Sequence, residues 1–164
     1  EGQLLPVIMQ LFDCMRKLHD MSIMHGDVSL ENFLLTRCGD AGALALRVID
    51  FGMSGAGKTR STVIGKPSYQ APEMHGGRSY DGMQADAFSL GVVIYALLMR
   101  DYPWSSTVPG VCRSFAVFRA FGFRTFAAKR TIRGGPTTVE ERMSEPMLRV
   151  VEGLLDPDPR SRLS

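Results

Sequence analysis

Long hydrophobic runs are missing from the 164 residues. The longest apolar stretch, Phe88 to Met99, covers 12 residues, short of the roughly 18 needed to span a bilayer, so we expect a buried helix there and no membrane partner. Cysteine is scarce as well: Cys14, Cys38 and Cys112 lie far apart without a CxxC pair, which argues against a zinc site or a disulfide framework and for a reducing, cytoplasmic setting. Nor is there an excess of charge of one sign. The net charge is +2, with 15 Arg and 4 Lys spread along the chain, so binding to nucleic acid by charge alone is not expected. Disorder is excluded by composition, since 45% of residues are hydrophobic and 22% charged, enough apolar surface for one folded domain. The start, Glu1-Gly2-Gln3, has neither an initiator Met nor the basic-then-apolar pattern of a signal peptide, and we expect a chain cut from a longer protein.

What is present reads as mainly helical with a little β-structure. Leu4, Leu5, Ile8, Met9, Leu11, Phe12, Met15, Leu18 and Ile23 recur at helical spacing, predicting an amphipathic helix between Leu4 and Met24. Two short runs, Asn32 to Thr36 and Leu44 to Ile49, flank Cys38-Gly39-Asp40-Ala41-Gly42, whose turn chemistry predicts a β-hairpin. Residues 50–73 hold six Gly or Pro residues among many Ser and Thr, which predicts an irregular, functional loop. Asp81 is placed to cap a helix that is apolar on nearly every side through Ala87, Leu90, Val93, Ile94 and Leu97. Beyond Pro103-Trp104 the segment to Arg133 is mixed, with five phenylalanines interleaved among Arg and Lys. A last helix is expected from Ser144 to Leu155, before Pro157.

One phosphate-binding pattern is literal. Gly52-Met53-Ser54-Gly55-Ala56-Gly57-Lys58-Thr59 satisfies GxxxxGK[ST] directly after a candidate strand. Such a loop holds phosphate only where a helix begins at the Lys, because the helix N-terminus supplies the N–H groups and the dipole. Val63, Ile64, Gly65 and Pro67 stand where that helix should run, so a P-loop NTPase is the minor alternative.

Four other motifs occur in one order: His25-Gly26-Asp27 with Asn32 five residues beyond the Asp, Asp50-Phe51-Gly52, Ala71-Pro72-Glu73, and Asp86 in the buried helix. Together with Leu154-Leu155-Asp156-Pro157 and Arg162 near the end, they make the whole chain resemble the C-terminal lobe of a eukaryotic protein kinase. The resemblance implies an α+β, mainly α fold with a small β-hairpin and a long activation loop. It also implies that residues 1–164 are the catalytic domain's C-lobe, with the N-lobe and last helix absent and supplied, in the parent chain, by sequence beyond this one. By the same resemblance, Asp27 is the catalytic base, Asn32 and Asp50 hold Mg²⁺, and Leu34 forms part of the adenine floor. ATP and a protein Ser/Thr hydroxyl are then the reactants. Phosphoryl transfer consists largely of positioning and charge neutralisation, which is why oxygen ligands and a carboxylate are the residue types required. The family pattern further implies that His25 and Phe51 stack, that Asp86 accepts N–H groups from the loop at His25, and that Glu73 pairs with Arg162.

Three departures stand out. Gly26 replaces an Arg that in many kinases receives the activation-loop phosphate, which weakens the case for Thr62 as a phosphosite. Ser29 stands where a phosphate-contacting Lys is usual, and Lys66 stands where a Thr is usual. We therefore expect the Lys66 ammonium to reach the Asp27 carboxylate and replace the missing charge; the alternative is an exposed Lys on a loop. A second function class stays open: a pseudokinase or docking fragment that uses the Phe- and Arg-rich residues 113–130 to engage an acidic partner.

Overall fold

Asp81 starts the helix around which the rest of the molecule packs: its carboxylate accepts the backbone N–H groups of Met83 at 2.9 Å and Gln84 at 3.2 Å. In the computed structural model, which describes residues 2–38 and 43–164, this helix, α2, runs Gly82–Met99 and is buried at every position but Gln84 and Leu97. By length and composition it would suffice to cross a membrane, but its neighbours cover it on all sides, as the sequence pattern predicts for a core helix. α1 (Leu5–Asp20) buries Val7, Ile8, Leu11, Met15 and Leu18 against the core. α5 (Glu145–Leu154), N-capped by Ser144, buries Met147, Leu148, Val151 and Leu154. Gly91 permits the α2–α5 contact, since a Cβ there would stand 2.9 Å from side-chain carbons of both Leu154 and Leu155.

Among the described residues, three two-stranded antiparallel sheets complete the mixed α/β fold. The expected hairpin is β2 (Phe33–Cys38) paired with β3 (Ala43–Val48), Phe33 opposite Val48; part of its predicted turn, residues 39–42, lies outside the described residues. The other two sheets correct the sequence reading. The first helix ends at Asp20 and not near Met24, because Ile23–Met24 extends as β1 and pairs with β4 (Gly55–Ala56). Within the segment expected to be irregular, Thr59–Arg60 forms β5 against β6 (Tyr80–Asp81), and a 3₁₀ turn spans Pro72–Gly76.

The segment read as mixed is a long helix, α3 (Arg113–Lys129), interrupted at Gly122, where φ is 79° and ψ 169°. The step from Phe118 to Phe123 is too long for one helical face, and the kink absorbs it. Phe115, Phe118, Phe123 and Phe126 are all buried, and Trp104 lies 4.9 Å from Phe115 and 4.8 Å from Phe118, ring centre to ring centre. A short helix, α4 (Val139–Arg142), follows, closed by a reciprocal cap between Thr138 and Glu141.

Candidate active site

The turn after β1 carries His25, Gly26 and Asp27, and Asp86 of α2 fixes it from below. One carboxylate oxygen of Asp86 accepts the His25 N–H at 2.7 Å and the other accepts the Gly26 N–H at 2.9 Å, the distant partnership the sequence reading expects. The His25 imidazole is fully buried. Its Nε2 lies 3.1 Å from the Ile49 carbonyl and its Nδ1 accepts the Asp27 N–H at 3.3 Å. A carbonyl only accepts, so Nε2 carries the proton and the ring is neutral. The same ring packs on Phe51, centroids 5.2 Å apart, so one histidine ties the turn to the segment bearing Asp50.

Asn32 completes the arrangement. Its amide donates to the Asp27 carbonyl at 2.7 Å and to the Asp27 Oδ2 at 2.9 Å, while its own carbonyl accepts the Ile49 N–H at 2.9 Å. Asn32 therefore holds Asp27 through its buried side chain and touches the residue preceding Asp50 through its backbone carbonyl. Asp50 sits in left-handed backbone, φ 62°, with Oδ1 accepting the Gly52 N–H at 3.1 Å; its side chain is exposed. The other oxygen of Asp27, Oδ1, is buried without a hydrogen-bond partner. Leaving a buried acceptor unpaired costs about 1–3 kcal/mol. Leu34, on β2, is 48% exposed.

Lys66 corrects an expectation. Its ammonium does not pair with Asp27; it donates to Ser29 Oγ at 2.9 Å and lies 3.0 Å from Glu31 Oε2. Burial would raise the Glu31 carboxyl, but its own backbone N–H together with Lys66 outweighs that and holds it below the usual carboxylate value. Both partners are substantially exposed, so the pair itself contributes only about 0–1 kcal/mol.

Lys58 begins no helix. It lies between β4 and β5 and its carbonyl accepts the Gly82 N–H at 2.7 Å, which removes the P-loop reading because the N–H cradle is absent. The expected Glu73–Arg162 pair is present and bidentate, at 2.6 and 2.9 Å. Arg162 also donates to the carbonyls of Gln84 and Asp156 and covers the Phe88 ring. Thr62 is exposed, and its carbonyl accepts the Tyr80 hydroxyl at 2.7 Å.

Two contributors escaped the sequence reading. Arg60 donates to the Met53 carbonyl at 2.7 Å, fastening residues 53–60 to each other. The Tyr69 hydroxyl accepts the Leu30 N–H at 3.2 Å and meets the Tyr102 hydroxyl at 3.0 Å; burial, ahead of the Tyr102 bond, pushes its pKa well up. No pattern in the sequence marks either residue.

An Asp held by an Asn five residues on, a second Asp tied to them through His25 and Ile49, and a buried Glu–Arg brace form an ordered set. The family model described as "Protein kinase domain" matches residues 1–164. CBL-interacting protein kinase 4 of Oryza sativa subsp. japonica is 33% identical over 96% of this chain and 32% of its own length. CBL-interacting serine/threonine-protein kinase 7 of Arabidopsis thaliana is 31% identical over 94% and 32%. Serine/threonine-protein kinase kin-29 of Caenorhabditis elegans is 39% identical over 54% and 11%. The chain thus spans about a third of the length of the first two. With motif order, geometry and similarity in agreement over its whole length, the chain belongs to the protein kinase domain family.

Proposed function

We propose that the full-length protein transfers the γ-phosphoryl group of ATP to a protein serine or threonine hydroxyl, and that this chain is its catalytic lobe. The observation that carries the reading is the Asp27 carboxylate. Asn32 fixes Oδ2 and leaves Oδ1 without a partner, an acceptor available to a substrate hydroxyl proton once the substrate is bound. Asn32 gives its amide hydrogens to Asp27, which leaves its Oδ1 as an acceptor. With the exposed Asp50 carboxylate, this makes a set of hard oxygen donors that suits Mg²⁺.

Among the described residues no three His, Cys, Asp or Glu side chains gather around one point. That fits an ion held by one or two protein oxygens and completed by phosphates and water. Bound there, Mg²⁺ neutralises charge on the phosphates. Leu34 then lies under the adenine, residues 50–73 act as the activation segment, and a glycine-rich lobe from elsewhere in the protein closes the nucleotide site.

The docking alternative has less support. Four of the five phenylalanines in 113–130 are core residues, Lys129 lies 6.0 Å over the fifth, Phe121, and Arg124 is already paired with Glu145 and Glu152. The test is transfer of label from γ-labelled ATP to Ser/Thr peptides by the full-length protein. Asp27→Asn should lower turnover by about 10²–10⁴-fold with Mg²⁺·ATP binding retained. Unchanged turnover contradicts the assignment.

A further inference from the structure

We propose that Lys66 is a catalytic residue whose ammonium neutralises the transferring phosphoryl group. The inference rests on reading the site as a phosphoryl-transfer centre. Asp27, Glu31 and Asp50 all bring negative charge to this region, and a phosphoryl group approaching Asp27 brings more. Transfer there requires a cation. Among the described residues, Lys66 is the one Lys or Arg side chain bonded to the loop 25–32.

Its backbone is firmly placed. Gly65, at φ +77°, lies against Asp27, with the site of its missing Cβ 3.3 Å from the unpaired Oδ1. The Gln70 amide donates to the Gly65 carbonyl at 2.9 Å, and the Lys66 carbonyl accepts the N–H groups of Tyr69 and Gln70. The side chain, by contrast, is 40% exposed and its partner Glu31 56%. A rigid base therefore carries an arm whose pairing with Glu31 is easily exchanged. When a phosphoryl group enters, the ammonium leaves Glu31 for it while Ser29 Oγ remains the nearby fixed point. In the step itself the substrate hydroxyl proton passes to Asp27 Oδ1. The new oxygen–phosphorus bond forms as the bond to ADP breaks, and Lys66 takes no part in the proton transfer.

Two measurements on the full-length protein test this. In steady-state kinetics Lys66→Met should lower kcat about a hundredfold with KM for ATP little changed. The exchange Ser29→Lys with Lys66→Ser, which moves the cation across the same contact, should recover at least about tenfold over Lys66→Ser alone. In calorimetry, aluminium fluoride should tighten Mg²⁺·ADP binding to the native protein, as a mimic of the phosphoryl group in flight, and Lys66→Met should abolish that tightening while leaving Mg²⁺·ADP affinity in place. If Lys66→Met keeps both kcat and the tightening while Asp27→Asn loses turnover, the inference falls and the kinase reading stands. If Asp27→Asn also keeps turnover, both fall. A loss of kcat that the exchange does not restore, with a lowered melting temperature and the aluminium fluoride tightening retained, makes Lys66 a structural strap and overturns the inference.

Discussion

At Gly26 the chain has no room for a side chain. The backbone sits at φ +80°, and a Cβ would stand 2.5 Å from the Met53 carbonyl oxygen and 2.7 Å from Ile64 Cδ1. Substitution by Ala should lower stability by about 1–3 kcal/mol, read from urea denaturation. An unchanged midpoint would mean that the loop moves freely. The two described free cysteines differ in a testable way. Burial would raise the Cys112 thiol, but hydrogen bonds from Ser105 and from backbone N–H groups at Phe115 and Ser114 outweigh it and bring its pKa down to about 7, whereas burial pushes Cys14 up. At pH 7 iodoacetamide should therefore label Cys112 much faster than Cys14, as followed by mass spectrometry; equal rates contradict the assignment. The Asp27–Asn32 contact was legible because one short loop carries both residues, whereas Asp50 stands across the β2–β3 hairpin from them. The direction of Lys66 was not legible, because it depends on where Ser29 and Glu31 stand after folding, and both competed with Asp27 for the ammonium.

The helices followed their patterns where one face is continuous. α1, α2 and α5 each have an unbroken apolar face or an apolar surround, together with a clear start or stop, as at Asp81 and Ser144. α3 hid because Gly122 breaks the phase between Phe118 and Phe123, so no single helical face runs through the segment. β1, β4, β5 and β6 hid because two residues have no period. Between elements, the Glu73–Arg162 brace joins the Pro72–Gly76 turn to the chain beyond α5. Arg162→Met leaves the Glu73 charge with only 13% of its side chain exposed and should cost about 3–5 kcal/mol in urea denaturation. His75 in the same turn meets the Thr107 hydroxyl at 2.9 Å, and burial holds its pKa below 6.5 against the pull of Glu73. The unfolded chain then binds more protons than the folded one below about pH 6.5, so stability is complete above that pH and is lost as the pH falls. The melting temperature should drop between pH 7 and 5, and His75→Gln should flatten that slope.

Across the whole molecule, charge, burial and exposure divide the surface unevenly. Leu34, Phe51 and Met53 are each at least 45% exposed on the hairpin and the segment that follows Asp50, while Leu35 and Leu44 are exposed on the hairpin face opposite Leu34. Under the proposal that a glycine-rich lobe closes the nucleotide site, the exposed Leu34 is covered by it, and the 164-residue chain by itself should turn over far more slowly than a chain that carries such a lobe. The central claim is positional: Asn32 and Asp50 meet at one metal-nucleotide site beside Asp27. Crystals of the full-length protein grown with ADP and Mn²⁺ in place of Mg²⁺ test it directly through the anomalous scattering of the metal. The account expects a peak at about 2.0–2.3 Å from oxygens of both Asp50 and Asn32. A peak at Lys58 and Thr59, or anywhere remote from those two side chains, would contradict it.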